Sequence, residues 1–312
     1  MPMVKAPTAR HLLALHDLEP SAVERLVLRA AALKTARRAA AELPLRGRTL
    51  GLVFEKSSTR TRISFEAAMA QLGGTSLFIS VQDLQLKRGE SVADTARVLS
   101  RYLDAIVIRT FGHDALEEWA GHATIPVING LTDMHHPCQG LGDLLTLRER
   151  FGALKGLALA YIGDGNNVAH SLIEGAAAVG MTIRLACPKG YEPDAAIVAA
   201  ARRTAAATGG AITIGRDPAA AADGADALYT DVWVSMGQER ETARRKRAFK
   251  GYQINAALLA RAQPSAIVLH CLPAYRGLEI TADALDGPQS AVLDQAENRM
   301  HVQKAVLEML IR

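Results

Sequence analysis

The seven residues 56–62, which read K-S-S-T-R-T-R, most constrain what this chain can fold into. An apolar run at 50–54 precedes them and predicts a buried parallel strand, and residues 63–69 follow with the apolar spacing of a helix. Such a loop is suited to hold an anion, because backbone N–H groups and the helix dipole attract negative charge while hydroxyl and guanidinium groups donate hydrogen bonds. The alternative is an ordinary helix cap followed by solvated arginines. The loop is not a Walker loop, since there is no G-x-x-x-x-G-K-[ST].

The alternation of short apolar strands with helices predicts an α/β fold of two doubly wound parallel-sheet domains. At 312 residues the chain is long enough for two cores. We expect a first domain at residues 1–140 and a second at 141–296, with a last helix at 297–312 that returns to the first domain. The predicted strands are residues 49–54, 75–79, 105–109, 125–128, 157–162, 182–186, 211–213, 227–230 and 266–269. The predicted helices include residues 11–34, 91–102, 141–151 and 194–208.

Composition and charge argue against several classes of function. Aromatic residues make up 4% of the chain, which leaves few rings to stack on bases, and a net charge of +4 suits a small anionic substrate at least as well as nucleic acid. The basic run at 244–247 leaves a nucleic-acid-binding module open, although we expect this run to be a solvated loop. No apolar run approaches the ~20 residues of a membrane span, and no secretory signal is expected at the N-terminus.

Cysteine usage bears on both the compartment and the site. The three cysteines form no C-x-x-C and cannot all pair, so we expect a reducing, cytoplasmic setting. Two of them lie in the clusters H-H-P-C-Q at 135–139 and H-C-L-P at 270–273. Zinc binding is one interpretation of these clusters, but adjacent ligands such as His270 and Cys271 suit a single metal ion poorly. The other interpretation is that His136 and Gln139 donate hydrogen bonds to a ligand at the end of a strand.

The glycines in G-D-G-N-N-V at 163–168 raise the question of a dinucleotide-binding loop. Position 168 is Val where G-x-G-x-x-G requires Gly, and no acidic ribose partner follows at the expected spacing. We therefore do not expect a nucleotide cofactor.

Three further residues lie at predicted element ends. Arg109 ends a predicted strand and Arg299 starts the predicted last helix, although an isolated arginine in such a place is often a snorkelling surface residue. Asp231 follows the predicted strand 227–230, and Ser235 comes four residues later. A carboxylate and a hydroxyl so spaced can bind an ammonium group, but Asp231 could equally be a helix cap.

Taken together, seven stretches carry a more specific pattern than any one of them. In chain order they are S-T-R-T-R, D-T-A-R-V-L-S-R-Y, H-P-C-Q, G-D-G-N-N-V-A-H-S, D-V-W-V-S-M-G-Q-E, H-C-L-P and A-E-N-R-x-H-x-Q-K-A. In these motifs and their order the chain resembles the aspartate/ornithine carbamoyltransferase family, and its ornithine branch in particular. The resemblance extends from about residue 11 to the end.

The resemblance implies a set of site residues. The carbamoyl-phosphate positions are Ser58, Thr59, Arg60, Thr61, Gln85, Arg109, His136, Gln139, Cys271, Leu272 and Arg299. The ornithine positions are Asn167, Asp231, Ser235 and Met236. The catalytic positions among these are Arg109, His136, Asp231 and Cys271.

The resemblance also implies the reaction. The δ-amine of L-ornithine would attack the carbamoyl carbon of carbamoyl phosphate to give L-citrulline and phosphate, as in arginine biosynthesis. No metal and no cofactor are implied. Gln85 matches a residue contributed by an adjacent protomer, so a homotrimer with shared active sites is expected, without nucleic-acid or membrane partners.

One position departs from the family pattern. Lys87 stands where ornithine enzymes usually have a small residue, and the loop around it drifts toward that of the aspartate enzymes. S-M-G after Asp231 nevertheless matches the ornithine branch. The rival hypotheses are a carbamoyltransferase for acetylornithine or putrescine, and a catalytically silent binding protein that regulates a partner enzyme.

Overall fold

The computed structural model describes residues 10–36, 43–84, 89–235 and 237–311. The chain divides into two compact units, which we call unit 1 (Met1–Leu141 with Arg299–Arg312) and unit 2 (Gly142–Asn298). Each unit is built on its own parallel sheet.

The sheet of unit 1 has four parallel strands in the order β2-β1-β3-β4. They are β1 Thr49–Phe54, β2 Thr75–Ser80, β3 Ala105–Arg109 and β4 Val127–Leu131. The sheet of unit 2 has five parallel strands in the order β7-β6-β5-β8-β9. They are β5 Ala158–Ile162, β6 Thr182–Ala186, β7 Ala211–Gly215, β8 Ala227–Thr230 and β9 Ile267–His270. All nine predicted strands are therefore confirmed, with ends that differ by at most three residues.

Twelve α-helices accompany these strands in the described residues. They are α1 Pro20–Thr35, α2 Thr59–Gln71, α3 Val92–Leu99, α4 His113–His122, α5 Pro137–Phe151, α6 Asn167–Val179, α7 Ala195–Thr208, α8 Pro218–Ala222, α9 Thr242–Ala248, α10 Ala256–Leu259, α11 Ala282–Asp286 and α12 Val292–Leu310. Short 3₁₀ turns lie at Leu15–Asp17, Val81–Asp83 and Glu239–Glu241. Within the described part of the chain, none of these helices combines the length and apolarity that a membrane crossing needs.

In both sheets the order in which the strands are added reverses beside the first strand. In unit 1, β2 lies on one side of β1 and β3 on the other. In unit 2, β6 lies on one side of β5 and β8 on the other. Ligands of doubly wound sheets bind at such a switch point, outside the carboxyl ends of the strands. The segments that follow β1 and β3 in unit 1, and β5 and β8 in unit 2, are therefore the first places to look for function.

Two helices begin earlier than the sequence suggested. α5 starts at Pro137 instead of residue 141, so Gln139 lies in its first turn. α12 starts at Val292 instead of residue 297, which places Arg299 in the body of the helix and not at its start. Its last part belongs to unit 1, where the Glu308 carboxylate accepts two hydrogen bonds from Arg29 of α1.

The basic run at 244–247 is not a solvated loop. It lies in α9, and the side chain of Arg245 is buried while its neighbours in the run are exposed. Hydrophobic periodicity could not reveal this, because the buried position is itself an arginine.

Candidate active site

The K-S-S-T-R-T-R loop connects β1 to α2. Ser58 is the N-cap of α2, and its hydroxyl accepts a hydrogen bond from the backbone N–H of Thr61 at 3.3 Å. A cap of this kind stabilises a helix by ~1 kcal/mol. Thr59 and Arg60 occupy the first turn with exposed side chains, whereas Thr61 is buried. The helix cap and the anion loop, which the sequence left as alternatives, are compatible readings of the same residues.

Two buried arginines converge on the Thr61 hydroxyl. Arg299 of α12 donates to Thr61 Oγ1 at 2.9 Å, and Arg109 at the end of β3 makes a longer contact of 3.5 Å with the same oxygen. Only 7% of Arg109 and 5% of Arg299 is exposed, so neither is a snorkelling surface arginine. The switch point of unit 1 therefore holds the hydroxyl and both guanidiniums together.

The charge of Arg109 is not neutralised by an acid in the described part of the chain. Among the described residues no carboxylate lies within ion-pair distance of Arg109. Burial, together with the positive charges of Arg299 and Arg60, lowers the pKa of Arg109 to about 10. A buried cation is costly unless it has a partner. The arrangement thus provides a preformed place for an anion.

His136 lies beside this cluster, immediately before α5. Only 4% of it is exposed, and burial together with the charges of Arg299 and Arg109 holds its pKa well below 6.5. A neutral imidazole can still donate one hydrogen bond from its protonated nitrogen. Gln139, in the first turn of α5, is also buried. Both side chains are therefore suited to bind a neutral oxygen or amide next to the anion.

Residues that sequence reasoning missed hold these loops in place. Lys56 forms an ion pair with Asp133, which joins the loop after β1 to the loop after β4. The buried amide of Asn129 donates to the carbonyl of His135 at 3.3 Å and thereby fixes the turn before His136. Such contacts join distant segments, and no local pattern in the sequence announces them.

In unit 2 the corresponding position is occupied by an acid. Asp231 follows β8 and is 6% exposed. Its Oδ1 accepts from the Cys271 thiol at 2.9 Å and from the Val232 backbone N–H at 2.8 Å, and its Oδ2 accepts from the Asn166 amide at 2.7 Å. Asp231 is therefore a buried carboxylate held by neutral donors and not a helix cap.

Asn166 was not among the predicted site residues, whereas its neighbour Asn167 was. Asn166 caps α6, since its Oδ1 accepts from the N–H groups of Val168 and Ala169, and this leaves its Nδ2 free to reach Asp231. Asn167 is the first residue of the helix and is partly buried. The two adjacent asparagines after a strand were the available signal, but a sequence cannot say that Asn166 is the one that donates to Asp231.

Gly165 of the G-D-G-N-N loop is required by close backbone packing. A Cβ on Gly165 would lie 2.2 Å from the backbone nitrogen of Pro193, so the loop can approach the segment after β6 only without a side chain there. This close approach accounts for Gly165 without any nucleotide.

The H-C-L-P segment directly follows β9. The backbone N–H of Leu272 donates to His270 Nδ1 at 2.8 Å, so the ring proton must lie on Nε2, which is directed at Glu279 Oε1 at 3.2 Å. Leu272 adopts a left-handed conformation with φ of 57°, which is uncommon for a residue with a branched side chain. The fully buried His270–Glu279 pair thus fixes the backbone next to Cys271.

One group of side chains has the composition of a metal site. Asp231, His270 and Cys271 each offer one ligand atom, and these atoms lie within 4.8 Å of one another. Both ring nitrogens of His270 already have hydrogen-bond partners, Leu272 and Glu279. A metal ion would have to displace one of these bonds, so the donor set fits a hydrogen-bonded carboxylate better than a metal centre.

Some predicted site residues fall outside the part of the chain that the structure describes. Gln85 and Met236 lie outside the described residues, as does Lys87, the departure from the family pattern. Ser235 is described and partly buried, and its backbone N–H donates to Gln238 Oε1 at 3.0 Å.

The two parallel sheets, each with polar side chains at its switch point, define a two-domain α/β protein. Two family models match the chain, namely "Aspartate/ornithine carbamoyltransferase, carbamoyl-P binding domain" over residues 10–149 and "Aspartate/ornithine carbamoyltransferase, Asp/Orn binding domain" over residues 155–310. The chain belongs to the aspartate/ornithine carbamoyltransferase family and is a carbamoyltransferase.

Individual relatives and solved structures agree with the family models. The chain is 56% identical over 304 residues to an ornithine carbamoyltransferase of Symbiobacterium thermophilum, with 97% of this chain and 98% of the relative covered. It is 54% identical over 302 residues to that of Bacillus subtilis, with coverage of 97% and 94%. Its structure resembles ornithine carbamoyltransferase from Pyrococcus furiosus, with a TM-score of 0.95, 48% identity and 99% of each chain covered. It also resembles an anabolic ornithine carbamoyltransferase from Campylobacter jejuni, with a TM-score of 0.91, 40% identity and coverage of 97% and 99%.

Proposed function

We propose that this enzyme transfers the carbamoyl group of carbamoyl phosphate to the δ-amine of L-ornithine, giving L-citrulline and phosphate. The observation that carries the proposal is the buried guanidinium of Arg109, which contacts the Thr61 hydroxyl and has no carboxylate partner among the described residues. Its charge is therefore available to a phosphate, and Arg299 donates to the same hydroxyl. The names of the relatives support ornithine as the second substrate.

The anion cluster would bind and activate carbamoyl phosphate. The phosphate would take the N–H groups and hydroxyls at the start of α2, from Ser58, Thr59 and Thr61, together with the guanidiniums of Arg60 and Arg299. Arg109 would donate to the carbamoyl oxygen and, through a second N–H group, to the phosphate. Attack by the amine forms a C–N bond and gives a tetrahedral oxyanion, which collapses as the C–O bond to phosphate breaks. Arg109 and Thr61 stabilise the charge that develops on that oxygen, an effect typically worth ~3–4 kcal/mol per donor.

His136 and Gln139 would orient the carbamoyl group. Because His136 is neutral in the folded protein, it donates one hydrogen bond to the carbamoyl oxygen without taking part in proton transfer from solution. The carbonyl of Gln139 would accept from the carbamoyl amide. Gln85, Cys271 and Leu272 are further positions that we assign to carbamoyl phosphate from the match to the family's motifs.

The carboxylate of unit 2 would bind and deprotonate the amino-acid substrate. An alkylammonium has a pKa near ~10 and must lose a proton before it can attack. Asp231 attracts the ammonium form and would accept its proton, while the thiol of Cys271 donates a hydrogen bond to Oδ1 and holds the carboxylate in place. Asn167, Ser235 and Met236 would bind the remaining groups of ornithine. The proton lost from the amine passes to Asp231 and then to solvent or to the departing phosphate.

We further infer a biosynthetic, cytoplasmic enzyme that assembles as a homotrimer. The anabolic relative supports the biosynthetic role, and the three unpaired cysteines support a reducing compartment. Oligomerisation is supported by the edge strand β2, where Leu77 is 52% exposed, and by α2, where Ile63 is 57% exposed. Light scattering should then give three times the 33.3 kDa of one chain.

The proposed reaction is tested by assaying citrulline from carbamoyl phosphate and ornithine, with aspartate, acetylornithine and putrescine in parallel. The proposal expects turnover of ornithine alone. Turnover of only another amine would overturn the roles given to Asp231, Ser235 and Met236. The absence of turnover with any amine would favour the regulatory binding protein.

A further inference from the structure

Arg245 differs from the other basic residues of α9 in that its side chain is inside the protein. It is 6% exposed, whereas Arg244, Lys246 and Arg247 are exposed. A guanidinium is rarely buried without acceptors that satisfy its N–H groups. The partners of Arg245 therefore explain why an arginine occupies this position.

Three acceptors satisfy the guanidinium. Nη1 donates to Asp164 Oδ2 at 2.7 Å and to the backbone carbonyl of Trp233 at 3.1 Å. Nε donates to Glu241 Oε2 at 3.2 Å. The guanidinium carbon also lies 4.9 Å from the ring centre of Tyr191. Asp164 and Arg245 are both about nine-tenths buried, so solvent screens their attraction little.

The positions of these acceptors in the chain connect Arg245 to the carboxylate end of unit 2. Asp164 lies two residues before Asn166, and Trp233 lies two residues after Asp231. Asn166 and Asp231 are joined by the 2.7 Å hydrogen bond described above. Arg245 thus joins the two segments on either side of that bond, although it has no contact with Asp231 itself.

We propose that Arg245 is a positioning residue for the amino-acid substrate. By holding Asp164 and the Trp233 carbonyl together, it fixes the distance between the Asn166 and Asp231 segments and the course of the chain from Asp231 to Trp233. This role rests on the proposed function, since it takes Asp231 as the group that binds the substrate amine. It adds a determinant of ornithine affinity that lies outside the substrate's own contacts.

The energetics of buried ion pairs favour a positional role. An apolar pair of similar size is often as stable as a buried ion pair or more stable, so stability alone is a weak reason for Asp164 and Arg245 to be there. The planar fork of arginine, in contrast, sets the positions of several acceptors at once. A lysine at 245 would keep the charge but could not bridge Asp164, Trp233 and Glu241 in the same geometry.

The test uses the full-length enzyme and the variants Arg245→Met, Arg245→Lys and Asp164→Asn. Arg247→Met serves as the matched control, because it removes an exposed arginine from the same helix. The KM for ornithine, the KM for carbamoyl phosphate, kcat and the melting temperature are measured for each. Misplacement of a binding group by about 1 Å can reduce catalytic efficiency by ~100-fold. For Arg245→Met we expect the KM for ornithine to rise by roughly 10- to 100-fold, with the KM for carbamoyl phosphate and the values for Arg247→Met unchanged within about twofold.

The remaining variants separate positioning from folding. Arg245→Lys should recover part of the ornithine affinity, and the double variant Arg245→Met/Asp164→Asn should be no worse than either single one, because the two side chains act as a unit. The pKa of Asp164 is raised by burial and by the charges of Asp231 and Glu241, while Arg245 opposes the rise. Without Arg245 the acid limb of kcat/KM for ornithine should therefore move toward neutral pH.

A fall in melting temperature and in kcat with an unchanged KM for ornithine would overturn the proposal in favour of a purely structural ion pair. Should Arg245→Met fail to fold, Arg245→Lys decides by the same KM criterion. Failure of the proposed function is recognised separately, because wild-type enzyme would then not turn over ornithine at all.

Discussion

The two sheets present opposite charges at equivalent places. In unit 1 Arg109 at the end of β3 and Arg299 of α12 meet at the Thr61 hydroxyl, which lies in the segment after β1, and no described acid neutralises Arg109. In unit 2 the segments after β5 and β9 bring neutral donors, the Asn166 amide and the Cys271 thiol, onto the carboxylate of Asp231 after β8. One switch point therefore carries a buried guanidinium, that of Arg109, without a described carboxylate partner, and the other carries a hydrogen-bonded carboxylate.

This difference in charge shows that the same sheet topology can bind two unlike ligands. The position of each site follows from strand order, since both sites lie where the order of the parallel strands reverses. The preference for an anion or for a cation follows from a few side chains at the ends of those strands. Each unit can consequently be tested by a substitution that leaves the other unchanged.

The largest effect is expected for Arg109→Met. Loss of a donor to the developing oxyanion should lower kcat by roughly 10²- to 10³-fold. The melting temperature should stay the same or rise, because an apolar side chain replaces a buried charge that has no carboxylate partner. Steady-state kinetics and calorimetry measure the two quantities. A large fall in melting temperature would mean that Arg109 serves the fold and not the ligand.

Asp231→Asn tests the other side of the comparison. The amide keeps the size of the carboxylate but removes its charge, so kcat/KM for ornithine should fall by about 100-fold, corresponding to roughly 3 kcal/mol. The KM for carbamoyl phosphate should change by no more than about twofold. Equal losses for both substrates would contradict a division of labour between the two units.

Thr61→Val sharpens the description of the anion cluster. It removes the oxygen on which both guanidiniums converge and keeps the side-chain volume. We expect the KM for carbamoyl phosphate to rise by about fivefold, since a net hydrogen bond is worth ~1 kcal/mol. Ser64→Ala is the matched control, because that hydroxyl only donates to the carbonyl of Thr61 one turn along α2. An effect as large for the control would point to the helix and not to the cluster.

The smallest effect concerns the protonation of His136. Its pKa in the folded protein is held well below 6.5 by burial and by Arg299 and Arg109, so its NMR resonances should not titrate as the pH falls through 6.5. Arg299→Gln should raise this pKa without restoring it to the usual value, because burial is the largest cause. As the pH falls from 6.5 toward the lowered pKa, the unfolded chain binds a proton that the folded chain does not, and the free energy of unfolding decreases. If His136 titrated near 6.5, neither burial nor the charges of Arg299 and Arg109 would be lowering its pKa, and the account of this cluster would be contradicted.

Much of the fold could be predicted from the sequence, because the spacing of apolar residues differs between strands and helices. Buried parallel strands are short apolar runs, so β1, β3, β6 and β8 were predicted with their observed ends. The starts of α5 and α12 were missed because polar residues of the site occupy their first turns, and polarity there resembles a loop. The sequence also favoured a surface position for Arg245, since a charged side chain gives no apolar signal.

The two halves of the site were not equally predictable. Ser58, Thr59, Arg60 and Thr61 lie in one continuous stretch, and the step from strand to helix indicates an anion loop directly. The environment of Asp231 comes from three separate segments, so neither its bond to Asn166 nor the ion pair of Asp164 with Arg245 could be read from spacing. Predictability therefore depended on how local the contacts are.

The most direct measurement of the central claim is a calorimetric titration of inorganic phosphate into wild-type enzyme, Arg109→Met and Asp231→Asn. Phosphate is the product expected at the anion cluster and carries no amine. We predict that wild type and Asp231→Asn bind phosphate with the same affinity and that Arg109→Met binds it at least about 10-fold more weakly, a difference of ~1.4 kcal/mol. Unchanged binding by Arg109→Met, or loss of binding by Asp231→Asn, would contradict the assignment of the anion to unit 1.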